Sequence, residues 1–343
     1  MEEKRSIRDS RLDWIRSIAL LMIITVHTWS LGRVQSYPLI SGIYHAFSDC
    51  GVPLFVMVSG ALILNRPIDS LRTFYSRRLI RILIPFFLWS ALVYCLSAWL
   101  GKYEDVHSLT EALRAYPSRL MENRINEAYW FVQMILLLYI LTPMLRGTLK
   151  RVNIRMVGWI LVAWWGAVEL CSLFPDWYWV HNFTSLTLRF VGYYVLGYYL
   201  YNTTGQWKWN KHLLLIPMLI GFVGCTLVNT PAIIGCRIML VASLFAWLCL
   251  CATRSCRIVR YCSNYSYTIY LIHMVMIPPI YTLLHYDSDA TVLQSALVPI
   301  ATSFAVTVIG MMVCYVLEKV LRGKARWFGI TTTYGVTLSN TKS

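Results

Sequence analysis

Leu12-Asp13-Trp14-Ile15-Arg16-Ser17-Ile18-Ala19-Leu20-Leu21-Met22-Ile23-Ile24-Thr25-Val26-His27 sets an aspartate, an arginine and a histidine in a largely apolar run. Such a run reads as a membrane helix, and ionisable groups at bilayer depth cost several kcal/mol each, so they mark a functional site by default. The spacing adds to this. Eleven positions are close to three helical turns, so Arg16 and His27 face one direction, roughly 16 Å apart along the axis. Asp13, one turn before Arg16, falls in the same sector. The run therefore reads as a polar stripe on a membrane helix.

The rest of the chain extends that reading. Its 343 residues are 57% hydrophobic and only 14% charged, and several apolar runs reach the roughly 20 residues that cross a bilayer. The expected fold is all-α, a polytopic membrane helix bundle of about ten spans. They fall near 12–31, 43–64, 79–100, 128–145, 154–174, 184–201, 212–229, 233–253, 263–285 and 291–318. With an even number of spans both termini share one side. That side then carries 23 of the 31 basic residues and the opposite side five, so the positive-inside rule makes both termini cytoplasmic. The net charge of +15 thus reports topology and gives no reason to expect a nucleic-acid partner. The basic N-terminus is interrupted by Asp13, Arg16 and His27 and shows no clear cleavage site, so the first span is expected to be retained. Residues 1–326 read as one membrane domain and 327–343 as a disordered cytoplasmic tail.

Most of the ten cysteines fall within spans, among them Cys95, Cys225, Cys249, Cys251 and Cys314, as small apolar fillers. Without a C-x-x-C pair or a repeated Cys/His spacing, no metal site is expected. Aromatic clusters at Trp177-Tyr178-Trp179 and Tyr129-Trp130-Phe131 fit either an interfacial belt or a platform for sugar rings.

Four further features bear on chemistry. Phe74-Tyr75-Ser76-Arg77-Arg78-Leu79-Ile80-Arg81 enters the third span, with Arg78 and Arg81 at i and i+3, able to grip phosphates or to serve as a positive-inside anchor. Gly51 and Pro53 break the second span ahead of Ser59, either a polar site group or helix–helix glue. In the ninth span Ser266, Tyr270 and His273 share a face, lining a cavity or joining helices. His27 itself is either a satisfied packing residue or, beside Asp13 and Arg16, a base able to take a hydroxyl proton near neutral pH. His45, Glu169, Arg189 and Arg237 carry no decisive signal.

Together these segments resemble the acyltransferase-3 family of bacterial integral-membrane O-acyltransferases over about residues 11–318. The match runs through Arg11-Leu12-Asp13-Trp14-Ile15-Arg16 with His27, Val52-Pro53-Leu54-Phe55 leading to Ser59-Gly60, and Phe74-Tyr75 with Arg77-Arg78-Leu79-Ile80-Arg81 and Pro85. It continues through Tyr129-Trp130-Phe131 and Tyr265-Ser266-Tyr267 leading to Tyr270-Leu271-Ile272-His273. The resemblance implies an inner-membrane enzyme that takes an acyl group, most often acetyl, from cytoplasmic acetyl-CoA to a hydroxyl of a surface glycan or its lipid-linked precursor. His27, Arg16 and Asp13 would be catalytic, Arg77, Arg78 and Arg81 would hold the donor, and Trp130, Ser59, Tyr270 and His273 would line the acceptor site. With a short tail after the tenth span, the esterase-like domain of longer members is not expected, and the chain looks similar to short O-antigen and enterobacterial common antigen O-acetyltransferases. The rival class is a polysaccharide or small-solute exporter, for which cavity arginines and a histidine would also serve. Only the enzyme makes a CoA-dependent covalent product.

Overall fold

A computed structural model describes residues 8–331 except 104, 107, 173–186, 209, 228–232 and 287–289. The aromatic cluster at 177–179 and positions 332–343 of the expected tail therefore lie outside the described residues. The described chain is all-helical: α1 (Ser10–Leu31), α2 (Pro38–Ser48), α3 (Gly51–Ile63), α4 (Leu71–Trp99), α5 (Leu109–Met121), α6 (Trp130–Arg151), α7 (Ile154–Ser172), α8 (Arg189–Thr203), α9 (Leu215–Leu227), α10 (Ile233–Cys251), α11 (Arg257–Leu283) and α12 (Val292–Leu321), with short 3-10 turns between some of them. Seven helical stretches among the described residues are long and apolar enough to cross a membrane; the second joins α2 and α3 as Pro38–Ile63. The break in that stretch falls at Asp49 and Cys50, just ahead of Gly51 and Pro53. α8 has 15 residues and α9 has 13, shorter than a straight crossing needs.

The described residues divide into two compact units. The first lies within Met1–Val26, Val34–Pro67 and Met144–Ser263, the second within His27–Arg33, Ile68–Pro143 and Asn264–Ser343. In the first, α3 and α8 pack backbone to backbone. A Cβ added at Gly60 would land on the Tyr194 carbonyl, and one at Gly197 on the Met57 backbone. Small residues permit this approach, which in a membrane supplies dispersion contacts that lipid would otherwise make. The start of α1 is fastened to the segment leading into α11: Ser10 Oγ donates to the Thr253 carbonyl (2.9 Å), Trp14 Nε1 to Arg254 (3.0 Å) and Ser17 Oγ to Val259 (3.1 Å). Thr253 and Arg254 lie between α10 and α11, outside either helix, so their carbonyls have no intrahelical donor.

In the second unit, tyrosines on α11 tie the helices through backbone carbonyls. Tyr267 donates to Ile82 (2.8 Å) and Tyr270 to Ala128, while Tyr129 donates to Leu271 (3.3 Å). Pro85 lies inside α4, where its missing N–H frees the carbonyl of Arg81 and loosens the ladder beside Ile82. The chain after α12 folds back as a 3-10 turn, Arg322–Phe328. The Phe328 carbonyl accepts from Trp89 Nε1 (3.1 Å) and Thr268 Oγ1 (2.7 Å). Gly329 follows at φ +83°, a left-handed conformation that costs glycine nothing, with Tyr267 and Thr268 pressed against it. Ile330 is buried. Phe328, Gly329 and Ile330, near the head of the expected disordered tail, are thus packed into this unit.

Candidate active site

The expected site residues fall in both units. Asp13, Arg16 and Ser59 belong to the first; His27, Arg77, Arg78, Arg81, Trp130, Tyr270 and His273 belong to the second.

In the first unit the Asp13 carboxylate receives both Nε (2.6 Å) and Nη2 (2.7 Å) of Arg8 and the Ser263 hydroxyl (2.7 Å). It therefore binds the start of α1 to the start of α11. The half-buried Arg16 guanidinium lies 5.8 Å from the centre of the Phe55 ring, within cation–π range. Ser59, buried on α3, donates to the Phe55 carbonyl one turn back (3.0 Å), the back-bonding that serines adopt inside helices. Just before α1, Asp9 Oδ1 accepts the Arg11 backbone N–H (2.9 Å) as a helix cap, and Oδ2 takes Arg11 Nη2 (2.6 Å) and the Tyr201 hydroxyl (2.8 Å). Burial alone would raise the Asp9 carboxyl, but the bonds from Arg11 and Tyr201 outweigh it and hold it below its ordinary value.

Sequence reasoning missed one cluster altogether. Arg237 on α10 pairs with Asp49 (2.9 Å) and reaches His45 Nδ1 (3.2 Å), while His45 Nε2 meets the same Asp49 carboxylate (3.2 Å). A guanidinium only donates, so His45 Nδ1 accepts and Nε2 carries the proton toward Asp49. His45 and Asp49 are one turn apart on the sequence, a usable signal; their pairing with Arg237, some 190 residues away, has none.

In the second unit His27 lies at ring-centre distance 5.0 Å from His273, the planes tilted by 48°. His273 has no exposed surface. Its Nδ1 lies 2.6 Å from the Tyr270 carbonyl oxygen. A carbonyl only accepts, so the proton sits on Nδ1 and Nε2 presents a lone pair. Tyr270 stacks on His273 at 5.9 Å and meets Phe131 edge-on at 5.5 Å, and Phe131 meets Trp130 at 6.3 Å. The residue after His27 is held by α11 and α12. The Thr28 hydroxyl bonds Ser303 (2.9 Å), and Tyr281 donates to the Thr28 carbonyl. On α4, Arg78 is half-buried, its guanidinium 5.8 Å from the Phe74 ring centre and 5.9 Å from that of Tyr139. Arg77 and Arg81 are exposed. The i, i+3 pair therefore splits: Arg78 lies on the side of Ile82 and Pro85, and Arg81 turns outward. Three guanidinium groups in one and a half turns, one held between aromatic rings, suit a ligand with several phosphates. No three His, Cys, Asp or Glu side chains gather as a metal-ligand set among the described residues.

A family model described as "Acyltransferase domain" matches residues 9–319. The chain belongs to the acyltransferase-3 family. It is accordingly a multi-pass membrane acyltransferase. No curated protein and no solved structure matches it.

Proposed function

We propose that this acyltransferase moves an acetyl group from cytoplasmic acetyl-CoA to a hydroxyl of a cell-surface glycan or its lipid-linked precursor, in a bacterial inner membrane, with His27 as general base. The observation that carries the reading is the setting of His27: half-buried on a membrane helix and packed against a second histidine whose Nε2 is buried without a hydrogen-bond partner among the described residues. A histidine kept only for packing would have its polar atoms satisfied. A base needs a free lone pair.

The chemistry follows from the groups. The acceptor hydroxyl oxygen attacks the thioester carbonyl while His27 takes its proton, giving a tetrahedral oxyanion and an imidazolium. The intermediate collapses with cleavage of the C–S bond, and the imidazolium returns the proton to the departing CoA thiolate. Arg16 is assigned to the donor or the oxyanion, whose negative charge a preorganised guanidinium stabilises. Arg78, with Arg77 and Arg81 beside it, holds the phosphates of CoA, and Trp130 and Tyr270 offer aromatic faces to the sugar. Asp13 acts through the two helix starts it fastens, and Ser59 keeps its hydroxyl within α3.

The test is transfer of radiolabelled acetyl from acetyl-CoA to glycan in membranes matched for protein level. His27→Ala should lower the rate by about 10²–10⁴-fold while insertion and donor binding persist, since losing a polar group does not hinder insertion of the span. Near-normal transfer by this variant would sink the mechanism and favour an exporter.

A further inference from the structure

His273 is the one wholly buried histidine among the described residues, and its unmet bonding capacity points at a role. Its Nδ1–H is committed to the Tyr270 carbonyl at 2.6 Å. Its Nε2 is buried and has no hydrogen-bond partner among the described residues. An acceptor left unsatisfied in a buried site costs about 1–3 kcal/mol, and a core that needed only the ring's volume would place a phenylalanine there. The ring beside it is His27, at 5.0 Å between centres. Neither imidazole has a carboxylate bonded to it among the described residues.

We propose that His273 is the positioning residue of the base: its Nε2 accepts an N–H of His27 and so fixes which His27 nitrogen is left with a free lone pair. The inference rests on His27 being the base. The chain of bonds runs from the Tyr270 carbonyl to His273 Nδ1–H, and from His273 Nε2 to an N–H of His27. The remaining His27 nitrogen then takes the acceptor's proton, and the imidazolium that forms shares its charge with the neutral ring behind it. At the present tilt of 48° the two rings do not bond, and a turn of the His27 side chain closes the gap, as catalytic hydrogen bonds commonly tighten only when substrate is bound. The choice of imidazole over a carboxylate has a reason at this depth. A carboxylate orienter would be a standing charge in a low-dielectric bundle, costing several kcal/mol before any substrate arrives, whereas a neutral ring carries no such penalty. Tyr270 gains a definite part: its carbonyl sets the His273 tautomer, while its hydroxyl bond to Ala128 and its contact with Phe131 keep the α11 turn in place.

Two substitutions at one position separate this from packing. His273→Phe keeps the ring and its volume but removes both nitrogens; His273→Gln keeps a polar acceptor at the ε position and loses ring volume. Steady-state acetyl transfer from acetyl-CoA to lipid-linked glycan in protein-matched membranes should show kcat reduced about 10²-fold in His273→Phe, with KM for acetyl-CoA within about twofold. His273→Gln should recover to within about tenfold of the wild type. In a His27→Ala background, His273→Phe should cause no further loss, because groups acting as a unit are not additive. A positioning role is overturned if His273→Phe keeps kcat within threefold, if His273→Gln is the worse of the two, or if the losses multiply with His27→Ala. His27→Ala alone distinguishes the failures: near-normal transfer by that variant refutes the base itself, while its inactivity beside a normal His273→Phe refutes only the partner.

Discussion

At the scale of single residues, Arg78 offers the clearest contrast between charge and shape. Its guanidinium sits 5.8 Å and 5.9 Å from the Phe74 and Tyr139 ring centres, a setting that uses its planar, delocalised form. Arg78→Lys keeps the charge and loses the fork and the stacking. Acetyl-CoA affinity measured by calorimetry on purified protein should fall about tenfold, equal to about 1.4 kcal/mol. Arg81 is exposed, so Arg81→Lys should cost less. Unchanged affinity in an Arg78→Ala, Arg81→Ala double variant would remove both from the donor site. His27, Arg16 and the arginine run were legible in the sequence because charge is conspicuous against an apolar background. The contact between His27 and His273 was not, since 246 positions separate them and no periodicity links one helix to another.

Between elements, the contact of α3 with α8 and the cap on α1 each make a prediction. Gly197 faces the Met57 backbone so closely that any side chain must push the helices apart. Overpacking of this kind costs about 1–3 kcal/mol, so Gly197→Leu should lower the melting temperature in detergent; an unchanged midpoint would mean the two helices are not in close contact. Asp9 caps α1 and binds Tyr201 of α8, and its folded value lies below the ordinary 3.8. A group whose value is lowered by folding stabilises the fold above its unfolded value, and that contribution is lost as pH falls through the folded one. Wild-type protein should therefore lose more thermal stability between about pH 6 and about pH 3 than Asp9→Asn does. Equal losses would show that the Asp9 bonds do not form in the protein in solution. Sequence periodicity located the helices but not these junctions. A glycine in an apolar helix looks the same whether it faces lipid or another backbone.

For the whole molecule, the testable statement is topology. The asymmetry of 23 basic residues against five predicts that both termini are cytoplasmic. In a cysteine-free background, a single cysteine at position 110 should label from outside with an impermeant reagent, and cysteines at 72 and 150 only after the membrane is opened. Labelling of position 72 in intact cells would invert the arrangement and put the α4 arginines on the wrong side for cytoplasmic CoA. The sequence by itself determined that this is an all-helical membrane protein, roughly where its helices run, and which charged residues stand inside them. Those features depend on hydropathy and short-range spacing, which a linear chain records directly. Its motifs also pointed to the acyltransferase-3 family, to which the chain belongs. Only the tertiary structure decided that Asp13 is bound by Arg8 and Ser263, that Ser59 spends its hydroxyl within its own helix, that the Phe328 carbonyl accepts from Trp89 and Thr268, and that the His27 and His273 rings lie against each other. Each of these depends on which helix faces become neighbours, and that is set by side-chain packing between segments distant in the chain, which no local pattern encodes.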